Sequence, residues 1–138
     1  MSNVQEDMKI LRERGLSDLE INDYYISSGG ANVQHAVYHS TGKIYNTGRP
    51  IVYTNLVGIG NTMCAIAVFD RDGKYVKSKS MYTDGIAGGG VRFLASGTYE
   101  FDEDVGYVIL GVQDGVTSTS VEYYESVPLN EYVDSLNT

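Results

Sequence analysis

The sequence predicts an all-β fold, a sandwich or barrel of short antiparallel strands, with a short helical segment at either end. Three observations carry this. Apolar and polar residues alternate over 51–57 (IVYTNLV) and 75–82 (YVKSKSMY), the period-two pattern of a strand with one buried face. The run 105–112 (VGYVILGV) is nearly continuous and apolar, as a central strand requires when both its faces are covered. Turn residues punctuate the chain at Thr41-Gly42, Asp72-Gly73, Asp84-Gly85, Ser96-Gly97 and Asp114-Gly115, which leaves room only for short strands.

The elements follow in order. Residues 1–26 read as a helical arm in two pieces. Ser2 and Asn3 stand three residues before Gln5 and Glu6, the spacing of a capping box, in which side chains satisfy the free amides of a helix start. Val4, Met8 and Leu11 share one face at helical spacing, and Gly15 is a natural stop. Ser17 and Glu20 repeat the box, opening a short second helix that shows Leu19 and Tyr24. Short helices are marginal alone and need an apolar surface. The arm can dock on its own sandwich or on another subunit; because it lies outside the β region, the second is expected, with Val4, Met8, Leu11, Leu19 and Tyr24 as the assembly residues. The sandwich then fills 27–138 and closes with a short helix, capped by Asn130, that turns Tyr132, Val133 and Leu136 inward.

Composition excludes several function classes. The 138 residues carry a net charge of −8, and no Lys or Arg follows Arg92. Such a surface repels a phosphate backbone, so nucleic acid is not an expected partner. Arg71, Lys74, Lys77 and Lys79 make a basic cluster that reads as a solvated strand face. Cys64 is the single cysteine and sits in the apolar run 63–68 (MCAIAV), so it reads as a buried, inert thiol with no disulfide partner. The N-terminus is polar, without the apolar core of a signal peptide, and no apolar run nears the ~20 residues of a membrane span. The expectation is a protein made in the cytoplasm, with no membrane partner.

Each candidate chemical site meets a simpler reading. Asp70 and Asp72 lie two apart in 69–75 (FDRDGKY), but the third oxygen ligand and the distant Glu of a calcium loop are missing, and Asp-Gly between alternating segments is a hairpin signal. The acidic run 100–104 (EFDED) reads as a solvated corner, with a structural calcium as its alternative. His35 and His39 on a strand would lie about 13 Å apart, too far for one ion. The glycines of 85–90 lack the Lys-Ser/Thr of a phosphate-binding loop, and no nucleophile elbow occurs. No catalytic, cofactor-binding or metal-ligating residue is assigned, and no cofactor is expected. The 12 tyrosines are more than a core of this size needs. Tyrosine pairs an apolar face with a polar tip, which suits half-buried sheet surface, subunit interfaces and sugar rings; Tyr82, Tyr99 and Tyr123 are the candidate glycan contacts.

The segments 66–76 (IAVFDRDGKYV), 97–102 (GTYEFD) and 106–111 (GYVILG) together resemble the small jelly-roll modules of bacteriophage tail and fibre proteins, which also occur beside some SGNH-type esterases. The likeness covers about residues 50 to 113. It implies a jelly-roll-like sandwich and a non-enzymatic structural role in a phage particle, as a head or tail fibre, decoration or accessory subunit. The partners would then be virion proteins and copies of the chain itself, a trimer being favoured, and the location the virion. The alternative is a carbohydrate-binding module for cell-surface or mucosal glycans. The Trp of the sugar platform usual in such modules is missing here, which weakens that platform and leaves the tyrosines as its candidates.

Overall fold

The computed structural model describes residues 7–76 and 90–128. They form strands β1 (Asp7–Gly15), β2 (Ile21–Asn22), β3 (Tyr24–Ile26), β4 (Asn32–Gln34), β5 (Tyr38–Thr41), β6 (Ile44–Tyr45), β7 (Ile51–Ile59), β8 (Ile66–Asp70), β9 (Arg92–Tyr99), β10 (Val105–Gln113) and β11 (Ser120–Pro128). A single 3-10 turn, Leu16–Asp18, is the only helical element among the described residues. All pairings between these strands are antiparallel. One sheet runs β1-β11-β7-β9. In the other, β10 is central: Val108 pairs with Ile44 of β6 on one side and Val68 of β8 on the other. β5 continues the β6 edge, displaced by one residue in register, and β2 lies outside β5.

The core sits between the sheets. Ile51, Tyr53 and Leu56 of β7 meet Ile66 and Val68 of β8, Val108 and Leu110 of β10, and Val121 of β11. The apolar run at β10 is explained by a second cluster on its far face. There Ile109 packs with Ile26, Cys64, Ala67 and Phe69, while Tyr24, Tyr75 and Tyr107 close in around them. β3 and β4 form a hairpin that supplies part of this cover. β8 is therefore buried on both faces, with Ile66 and Val68 inward and Ala67 and Phe69 outward. Buried polar groups are satisfied: the Thr41 hydroxyl oxygen accepts from the Leu110 amide at 3.1 Å, and the Ser40 hydroxyl donates to the Tyr24 carbonyl at 2.7 Å.

The helical arm expected over 1–26 is not formed in its described part, 7–26. Residues 7–15 are β1, paired with β11 along its whole length from Asp7↔Pro128 to Gly15↔Ser120. The helical spacing of Val4, Met8 and Leu11 was coincidental in its described part. The strand sorts its residues by twos, with Met8, Ile10, Arg12 and Arg14 half-buried and Lys9, Leu11 and Glu13 exposed. A full ladder satisfies the backbone of this segment, which an isolated short helix could do only weakly. The second capping box likewise gives only the 3-10 turn, without a side-chain cap. Leu19 packs on the main core and Tyr24 on the second cluster. The boundary placed at residue 26 therefore divides one packed unit, since Ile26 itself is buried in the second cluster. Val4 and the C-terminal helix expected near 130–136 lie outside the described residues.

Candidate ligand groove

A groove of about 730 Å³ lies between the β1–β11 ribbon of one sheet and β6 of the other. Lys9 of β1, the β6 residues Ile44 and Tyr45, Lys43, Arg71, Phe101 and Glu103 line it, with Tyr123, Tyr124, Glu125 and Ser126 of β11. A smaller hollow of about 260 Å³ shares Lys43, Ile44, Tyr123 and Glu125 with it and extends toward Arg14 and Glu20. From Val121 on, the half-buried face of the β1–β11 ribbon mixes Arg12, Arg14, Tyr123 and Glu125 with Met8, Ile10 and Val127. Arg12 Nε donates to Glu125 Oε2 at 2.9 Å, and Arg14 Nε donates to the Tyr123 hydroxyl at 3.1 Å.

The walls are held by hydrogen bonds. Asn46 fixes the loop at 46–48: its Nδ2 donates to the Val105 carbonyl at 2.9 Å, and its Oδ1 accepts from the Gly48 amide at 2.8 Å. Arg71 Nε donates to the Glu103 carbonyl at 2.9 Å, which ties the turn after β8 to the loop before β10. Tyr45, 60% exposed, sets its ring edge-on to Tyr107 at 5.7 Å. Lys43 Nζ lies 4.9 Å from the centre of the Tyr107 ring, a cation–π placement. Phe101 meets Tyr99 edge-on at 5.2 Å. The groove thus combines apolar ring surface with charged and hydrogen-bonding groups, and its volume falls in the range of small-ligand sites, ~300–1,000 Å³.

Of the candidate glycan contacts, Tyr123 lines the groove. Tyr99 does not reach the surface: it is 5% exposed and belongs to the core. Its parity on β9 turns it inward with Ala95. Tyr82 lies outside the described residues. Sequence pattern alone does not mark Lys9, Lys43, Tyr45, Arg71 and Phe101 as ligand contacts. The available signals were slight: Lys43 and Tyr45 follow the Thr41-Gly42 turn, and Arg71 sits in the basic cluster.

Asp70 and Asp72 form a turn. Asp70 Oδ1 accepts from the amides of Asp72 and Lys74, both at 2.9 Å, and Gly73 takes φ +83°. The Asp70 carboxylate is therefore engaged by the backbone. His35 sits in a bend, where its Nδ1 accepts from the amides of Val37 and Tyr38, and His39 Nε2 contacts the His35 carbonyl. Cys64 is buried, with its thiol donating to the Ser27 carbonyl at 3.3 Å. The acidic corner keeps Asp102, Glu103 and Asp104 exposed. Among the described residues, no three His, Cys, Asp or Glu side chains gather as metal ligands. No helix there is long and apolar enough to cross a membrane. No family model, curated protein or solved structure matches this chain.

Proposed function

We propose that this chain is a non-enzymatic component of a bacteriophage particle, a fibre, decoration or accessory subunit, whose sandwich recognises a glycan in the groove between its sheets. The observation that carries the recognition half is the groove itself, with its exposed Tyr45 ring, its half-buried Tyr123 and its polar rim. Sugar rings offer apolar faces edged by hydroxyls, and such a lining complements both. The particle half rests on the resemblance of 66–76, 97–102 and 106–111 to phage jelly-roll modules. Two of these segments are partners in the fold, since β8 pairs with β10. We read the strand order as a jelly roll: from β7 onward successive described strands change sheets, and the first and last strands are neighbours.

A glycan screen on the immobilised full chain tests the recognition half. The expected result is a hit that weakens at least tenfold, about 1.4 kcal/mol, in Tyr45→Ala. A blank screen across cell-surface and mucosal glycans would contradict it.

A specific observation also favours self-assembly. The outward face of the β1-β11-β7-β9 sheet exposes Leu11, Val52 and Leu94, at 49%, 45% and 47%. Leu11 stands opposite Tyr124, whose ring Arg49 covers at 4.8 Å, and Val52 stands between Glu122 and Thr98. This face, in place of a helical arm, is our candidate for contact between copies in a trimer.

A further inference from the structure

We infer that the groove takes an acidic saccharide, one carrying a carboxylate, and that Lys43 and Arg71 receive its charge with Lys9 beside them. This deepens the glycan reading and rests on it. The argument is one of charge against background. The whole chain carries −8, yet the groove gathers Lys9, Lys43 and Arg71 against Glu103 and Glu125. Glu125 is already neutralised by Arg12 at 2.9 Å, so within the groove three cations stand against Glu103; outside it, Arg71 borders Asp102 and Asp104, and Lys43 borders Glu20.

The cations are also placed to act. Arg71 spends one N–H, at Nε, on the Glu103 carbonyl. No other described residue engages the guanidinium, so its terminal nitrogens keep four donors, the fork that matches a carboxylate. Lys43 rests against the Tyr107 ring, and among the described residues no carboxylate pairs with it. A neutral sugar would gain little from such groups. A phosphate site would be expected to use converging backbone amides or a helix N-terminus, and among the described residues no helix end lines the groove. The ring surface of Tyr45 and Tyr123 beside the cations fits an amphipathic sugar ring that carries its charge at one edge.

Calorimetric titration of the full chain with matched probes tests this. Oligogalacturonate is compared with its methyl ester, and sialyllactose with lactose, each at low and high salt. At least one acidic member should bind tenfold or more tighter than its neutral twin, and the advantage should shrink with salt. Lys43→Gln and Arg71→Gln, both at exposed positions, should erase most of that advantage, while Tyr45→Ala should weaken both members of the pair. Equal binding within the pairs, or an advantage untouched by the two substitutions, would overturn the inference and leave the glycan reading standing. Binding of polyglutamate as tight as that of the acidic sugar would overturn its saccharide half. No binding by any probe would overturn the inference, and a blank glycan screen alongside would remove the broader reading too.

Discussion

Replacing Gly111 with alanine should destabilise the sandwich by about 2–4 kcal/mol, although it adds one methyl group. Gly111 lies in β10 where the chain passes closest to its neighbours. A Cβ there would fall on the Val57 carbonyl oxygen, 2.6 Å from the Cys64 carbonyl oxygen and 3.0 Å from Met63 Cε. The two oxygens are backbone atoms, so neither can rotate aside. β10 would have to move, and overpacking of this kind costs about 1–3 kcal/mol. The shift would also strain the bond from the Gly111 amide to the Ala65 carbonyl, now 2.8 Å, worth about 1 kcal/mol. Gly15→Ala is the control, since nothing lies within 4 Å of its Cβ position and its φ is −81°. That change should stay within about 0.5 kcal/mol. Urea unfolding followed by tyrosine fluorescence or circular dichroism measures both. At roughly 2–8 °C per kcal/mol, Gly111→Ala should also lower Tm by about 10 °C. If the two variants unfolded within about 1 kcal/mol of each other, β10 could not pack against β7 and the entry to β8 as described.

Two further outcomes follow from the geometry. Asp70→Ala removes the acceptor for the Asp72 and Lys74 amides and should cost about 1–2 kcal/mol in urea unfolding, with Asp70→Asn recovering part of the loss; a full loss of stability on adding a chelator to the parent chain, with no substitution, would contradict the turn role. Light scattering should give a mass three times 15.1 kDa for the full chain, falling when Leu11 is changed to Glu, and a monomer at high concentration would remove the assembly reading of the outward face.

The sequence carried the centre of the fold and lost its edges. β7 and β10 were legible because burial wrote itself into the pattern, alternation at 51–57 and an unbroken apolar run at 105–112. The turn at 70–74 was legible because Asp-Gly has a local conformational reason to be there. β1 was not legible, because its half-buried face carries Arg12 and Arg14 where a strand pattern would place aliphatic residues. That hid the period of two and let Val4, Met8 and Leu11 suggest a helix. The candidate site was almost wholly hidden. Lys9, Lys43, Arg71, Phe101 and Tyr123 come from distant stretches of chain, and the pairings of β1 with β11, of β6 and β8 with β10, and of β7 with β9 bring them to one end. Tyr123 was found on residue type alone; Tyr99, of the same type, faces inward through its strand parity.

The most direct test of the groove is a map of amide and side-chain shifts in the isotope-labelled full chain as the tightest-binding oligosaccharide from the screen is added. The account predicts that the shifts concentrate at Lys43, Tyr45, Arg71, Phe101 and Tyr123, with the outward face around Val52 and Leu94 unchanged. Shifts centred on that outward face, or anywhere away from the groove, would contradict it.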